Sequence, residues 1–154
     1  NFDNTLKKYF NDWSFRHPKP NDFIRSAERV SGLELDWYLL DWAQSTMTID
    51  YSINSVYGVN NRTKIVLKRI GQMGMPIDIR ILLDSGDSLD FNIPMTKMRG
   101  SKPLENSTLL ESWSWAKPYY EFWIDVDSNK ISKILIDPKN EMADINRDNN
   151  SLDL

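Results

Sequence analysis

The hydrophobic period of this 154-residue chain changes once, near Thr48, and that change limits what the chain can fold into. Before it, apolar residues recur at steps of three and four, the spacing of a helical face. Phe2, Leu6, Phe10 and Trp13 form one such face. Pro18 and Pro20 are expected to end that helix, because each ring removes an N–H and restricts the residue before it. Asn21 or Asp22 is then placed to cap a second helix with Phe23, Ala27 and Val30 on its apolar side, and Gly32 falls where a left-handed stop is expected. A third helix presents Leu35, Tyr38, Leu39 and Trp42. Trp37 and Leu40 lie off that face, so this helix is apolar nearly all round. Such a helix is normally buried on several sides.

After Thr48 the period is two. Ile49, Tyr51 and Ile53 alternate with polar residues, as do Ile65 and Leu67, Ile77 to Ile81, Leu89 to Ile93, Tyr120 to Val126, and, less cleanly, Ile134 and Ile136. A short piece around Trp113-Ser114-Trp115 is a candidate seventh strand. Turn signals separate them at Asn60-Asn61, Gly71 to Gly74, Asp84 to Asp87, Arg99-Gly100 and Asp127 to Asn129. Pro94 to Pro118 reads as one long irregular connection. The expected architecture is α+β: a cluster of about three short helices over residues 1–45, then a seven-strand antiparallel immunoglobulin-like β-sandwich over 46–154 with an irregular C-terminal tail. The joint at Gln44 to Met47 is too short and too poor in Gly and Pro for a free linker.

Composition removes several kinds of chemistry. There is no cysteine, so disulfides, Cys-ligated zinc, iron–sulfur clusters and thiol nucleophiles are excluded. A single histidine, His17, excludes the paired imidazoles of a His-Glu-x-x-His zinc helix. No Gly-x-Ser-x-Gly elbow accompanies it. Gly71-Gln72-Met73-Gly74 lacks the Lys-Ser/Thr of a phosphate loop and reads as a turn. Asp125 to Asn129 and Asp144 to Asp148 open like calcium loops, but the first has Lys130 in place of glycine, and neither carries the closing glutamate. Among 22 acidic residues nothing singles out a catalytic pair. The net charge is −3 with both signs interspersed, which argues against nucleic acid as a partner. The longest apolar run is Trp37 to Leu40, against about 20 residues for a membrane span. Six each of Trp, Tyr and Phe invite two readings, a heavy core or a stacking surface. Tyr119 and Trp123 share the strand face opposite Tyr120, Phe122 and Ile124. A large aromatic pair is more often interface core than open platform, so this face is expected to pack against the helices or another domain.

Several segments resemble a known family. Tyr9 to Phe23, with its Arg16-His17-Pro18-Lys19-Pro20-Asn21-Asp22-Phe23 turn, is similar to the end of the catalytic domain in aminopeptidase-N-type zinc metallopeptidases, the gluzincins. Ser31-Gly32-Leu33-Glu34-Leu35-Asp36-Trp37-Tyr38-Leu39-Leu40-Asp41-Trp42 resembles the piece that follows there, ahead of a β-sandwich. Ile136-Asp137-Pro138, Met142 to Arg147 and Asn149-Asn150 resemble the close of bacterial members of the Bacteroidetes kind. The family's zinc ligands, its Gly-x-Met-Glu-Asn motif and its transition-state tyrosine lie upstream of such a segment, and none is found here. The resemblance therefore implies a non-catalytic C-terminal fragment that packs against and supports an upstream catalytic domain of the same polypeptide. It implies zinc and peptide substrates for the parent only, no cofactor in this chain, and a periplasmic or secreted parent, with a cytoplasmic one compatible with the lack of cysteine. The opening at Asn1 rather than Met fits a piece of something longer. The alternative is a stand-alone β-sandwich module that binds carbohydrate or protein through exposed aromatics. Trp37, Trp113, Trp115, Tyr119 and Trp123 are the candidate interface or binding residues.

Overall fold

A computed structural model of the chain describes residues 2–101 and 106–154; residues 102–105, inside the long connection, are outside it. The described residues form three helices and eight strands in two sheets, an α+β chain. They group into two units, Asn1–Met47 with Thr96–Pro103, and Thr48–Met95 with Leu104–Leu154.

The first unit holds α1 (Phe2–Trp13), α2 (Pro20–Ser31) and α3 (Asp36–Ala43). The prolines do not end α1. It stops at Trp13, where Phe15 turns left-handed at φ 61°, and Pro20 instead opens α2 at its first position. Lys19 occupies the cap, and the Asp22 carboxylate accepts the Lys19 N–H at 2.8 Å. Gly32 closes α2 at φ 72°, its N–H donating to Glu28 O at 2.8 Å, as a left-handed stop requires. The helical faces differ from those the spacing predicts. α1 meets α2 edge-on, Tyr9 against Phe23 with ring centroids 5.2 Å apart, and buries Thr5. Phe2 and Phe10 are left 66% and 69% exposed. α3 buries Trp37 and Asp41 rather than the Tyr38–Trp42 side. Periodicity identifies an apolar stripe, but the partner helix chooses which stripe it covers. The segment from Thr96 joins this unit through Met98, which is buried and whose carbonyl accepts the Glu34 N–H at 3.0 Å.

The second unit holds β1 (Tyr51–Val59), β2 (Arg62–Arg69), β3 (Ile77–Leu83), β4 (Ser88–Ile93), β5 (Thr108–Leu109), β6 (Tyr119–Ile124), β7 (Ile131–Ile136) and β8 (Ser151–Asp153). One sheet runs β1-β2-β6, the other β5-β4-β3-β7-β8. Neither closes on itself. The expectation of seven antiparallel strands needs correcting. The second sheet is mixed, because β5 lies parallel to β4, and there are eight strands among the described residues. The Trp113–Trp115 piece is no strand; Trp113 makes only an isolated bridge to Met95. The tail is ordered into the unit: β8 pairs with β7, and Met142 and Asp144 are buried.

Asn60 and Asn61, both at positive φ (50° and 61°), make the tight β1–β2 hairpin. Ile65 and Leu67 of the first sheet and Ile79, Ile81 and Ile134 of the second are fully buried. Phe91 of β4 meets Phe122 of β6 at 5.6 Å, joining the buried faces of the two sheets in one core. Each isoleucine or leucine buried there contributes on the order of 2 kcal/mol of transfer free energy.

Candidate functional site

The outer face of the β1-β2-β6 sheet carries the most organised exposed chemistry in the second unit. It depends on one extra residue. Ile53 pairs with Leu67 but Ser55 pairs with Val66, so Asn54 is a bulge on β1. A bulge of one residue turns the following side chains to the other face. Tyr51 and Tyr57 have the same parity, yet Tyr51 is buried while Tyr57 is 54% exposed. The cross-strand register then sets Tyr57 opposite Lys64, and Lys64 opposite Trp123. The row reads aromatic, cation, aromatic across three strands.

Trp123 is 44% exposed. The Arg62 guanidinium lies 5.4 Å from its ring centroid and Lys64 Nζ 6.0 Å. Both cations are also held by carboxylates: Arg62 by Asp125 at 2.6 Å and Lys64 by Glu121 at 2.5 Å. Four residues along the same strands, Lys68 pairs in register with Tyr119 and sits 5.8 Å from its ring centroid. Cation–π contacts at such half-exposed sites contribute about 0.5–1 kcal/mol each and hold the rings upright. The polar groups around Trp123 supply donors (Arg62, Lys64) and acceptors (Glu121, Asp125) in equal number. Within this chain Tyr119 and Trp123 are 49% and 44% exposed, on the face expected to pack against the helices or another domain.

The other candidate aromatics have structural places. Trp113 is buried between Tyr51 (5.4 Å) and Tyr120 (5.3 Å), and its indole N–H donates to Lys117 O at 2.8 Å. Trp115 is half exposed but pinned: its indole N–H donates to Gln72 O at 3.3 Å, and the Arg69 guanidinium lies against its ring while donating to its carbonyl at 2.7 Å. Trp37, in the first unit, is buried and donates to Glu34 O at 2.9 Å. Tyr57, missed by the sequence reading, belongs to the row instead. Its only sequence signal was alternation, which the bulge inverts.

In the first unit a cavity of about 460 Å³ is lined by Arg25, Glu28, Arg29 and Arg99, among others. Carboxylate oxygens of Glu28, Glu34 and Asp36 come within 4.8 Å of one another nearby. Glu28 already accepts the Leu35 N–H at 2.8 Å, and Glu34 faces Arg99 at 3.8 Å. This all-oxygen set has no imidazole, so it does not fit a catalytic zinc ion. His17 is exposed in the connection after α1. The two calcium-like openings have other duties: Asp127 caps the turn at Asn129 N (3.0 Å), and Asp144 accepts the Tyr51 and Asn146 N–H groups at 2.9 Å.

Two tyrosines are perturbed. Burial pushes Tyr51 up to about 12, partly offset by its hydrogen bond with the Met75 backbone. Burial, with Glu111 nearby, also pushes Tyr120 up to about 12. Both belong to the Trp113 cluster and keep their protons as packing groups. No helix among the described residues is long and apolar enough to cross a membrane. Comparison with models of known protein families, with curated proteins and with solved structures gives no match, so the functional reading rests on this chain's own residues.

Proposed function

We propose that this chain is the non-catalytic C-terminal region of a zinc-dependent aminopeptidase, with its helices seated on an upstream catalytic domain and its two sheets serving as a rigid support. In this reading the sheets are a variant immunoglobulin-like sandwich, with β5 and β8 added at the edges of the larger sheet. The parent binds zinc and removes N-terminal amino acids from peptides; this chain supplies neither metal ligand nor general base. The support is the open apolar surface of the helical unit. Phe2 and Phe10 on α1, and Leu40 on α3 at 57%, stay exposed on helices that are amphipathic or apolar nearly all round. Phe2, Leu6 and Phe10, one turn apart on α1, make a continuous exposed apolar stripe, and apolar surface of this kind marks an interface. The resemblance of Tyr9–Phe23 and Ser31–Trp42 to the end of a gluzincin catalytic domain names the class of partner.

The test is an immunoblot of source-cell extract with an antibody against this chain. A band far above 18.0 kDa, with aminoacyl-amide hydrolysis by that longer polypeptide, is expected. Phe10→Asp should then lower the activity or stability of the longer polypeptide while leaving the isolated chain within about 0.5 kcal/mol of its parent. A native band at 18.0 kDa, or stoichiometric zinc and turnover from the chain alone, refutes the reading. A second reading, a module that binds without a catalytic partner, is favoured by the Tyr57–Lys64–Trp123 row and takes the lead on the 18.0 kDa outcome.

A further inference from the structure

We propose that the outer face of the β1-β2-β6 sheet is a binding site for a neutral polysaccharide, with Tyr57 and Trp123 as its two stacking rings. The inference does not depend on whether the chain is joined to a catalytic domain. Three features carry it. The rings are presented by β1 and β6, the two strands that flank β2, in one register row, so their separation is two inter-strand spacings, roughly 10 Å. That span suits alternate rings of an extended sugar chain, whose C–H faces are apolar and stack on aromatics. The Trp123 ring is also held in place before any ligand arrives, by Arg62 and Lys64 at 5.4 and 6.0 Å, which lowers the ordering entropy of binding.

Charge decides the ligand class. A nucleic-acid or sulfated-glycan face needs uncompensated cations along its length. Here Arg62 and Lys64 are each matched by a carboxylate, Asp125 and Glu121, which leaves Lys68 as the uncompensated cation of this face among the described residues. A sugar hydroxyl both donates and accepts, and this face offers both kinds of group within reach of Trp123. The bulge at Asn54 brings Tyr57 to this face, whereas an unbroken strand would bury it with Tyr51.

The test titrates the whole chain, by isothermal calorimetry and by NMR of its indole N–H groups, with cellohexaose, maltohexaose and xylohexaose. Oligo(dT) and heparin hexasaccharide serve as polyanion controls. The expected result is saturable binding of at least one neutral hexasaccharide that perturbs the Trp123 indole. Trp123→Ala should weaken it roughly tenfold or more, and Tyr57→Ala should also weaken it, with unchanged circular dichroism. Lys64→Gln, which keeps a donor, should weaken it less than either. Absence of saturable binding to all three neutral sugars up to about millimolar concentrations overturns the proposal. So does binding of the polyanions alone, or binding that survives both aromatic substitutions.

Discussion

Replacing Asp144 by alanine should cost this fold more than any other single change in its last fifteen residues. The Asp144 side chain is buried, 93 residues away in sequence from the β1 residue it serves. One carboxylate oxygen accepts the Tyr51 N–H and the other the Asn146 N–H, each at 2.9 Å, while the neighbouring Ile145 N–H donates to Ile49 O at 3.0 Å. A hydrogen bond to a charged acceptor contributes about 1.5–3 kcal/mol, and a buried N–H left without a partner carries its own penalty. Two bonds sharing one carboxylate do not add in full, so Asp144→Ala should lose about 3 kcal/mol. Asp144→Asn keeps one carbonyl oxygen but turns an amide toward the other N–H, and should lose about 1.5–2 kcal/mol. The measurement is urea unfolding with the slope unchanged, supported by a fall in Tm of about 6–12 °C for the alanine variant. A loss below about 1 kcal/mol for alanine, or equal losses for the two variants, would show that the carboxylate does not hold the tail to β1.

Gly71→Ala should destabilise by about 3 kcal/mol, since its Cβ would lie 2.5 Å from Asp50 N and against Thr48 O, both backbone atoms; Gly58→Ala meets only the movable Ser128 side chain and should cost under about 1 kcal/mol in the same assay. Phe15→Gly should stabilise by about 1 kcal/mol, because an exposed phenylalanine at φ 61° is strained and glycine is not. In an alkaline titration followed by tyrosinate absorbance, two of the six tyrosines should ionise late. A phenol held up to about 12 in the fold and at 10.0 outside it binds more protons when folded, so the Tyr51 contribution is complete below pH 10 and is lost between 10 and 12. That loss is about 2–3 kcal/mol, and Tyr51→Phe should remove it; two normal tyrosine titrations would refute the burial argument. The bidentate Arg80–Asp90 pair, at 2.7 and 2.8 Å, holds the Asp90 carboxyl below its usual range, so stability should fall as pH drops through that lowered value. Asp90→Asn should abolish this acid limb at a cost near 1 kcal/mol, the pair being partly exposed.

What was legible in the sequence is what local chemistry alone decides. Period-two runs such as Ile77–Ile81 and Tyr120–Ile124 became strands because alternation is all a half-buried strand needs. Asn60-Asn61 became a turn because asparagine tolerates positive φ. What failed needed a partner to decide it. The Phe2–Phe10 stripe is helical, but whether α2 covers that stripe or the Thr5–Tyr9 side is a tertiary choice. β5 has two residues and β8 three, too few to show a period, and each exists only because β4 or β7 offers an open edge. The candidate site shows the same limit. Tyr119 and Trp123 were readable as one face of β6, but Lys64 and Tyr57 join them only through register, and register turns on the bulge at Asn54. Trp113 had the composition of a binding residue and the position of a core one.

The return of Thr96–Pro103 to the helical unit sets the order in which this chain can be completed during synthesis. The three helices leave the ribosome before any strand of this chain, yet the carbonyl that receives the Glu34 N–H belongs to Met98, which is made only after four strands have emerged. The helical unit must therefore wait, incomplete and without its Met98 contact, while β1 to β4 are translated. At about 5–20 residues per second that interval lasts several seconds, the window in which a chaperone would find it. An expression fragment ending at residue 45 or 47 would make that waiting state permanent.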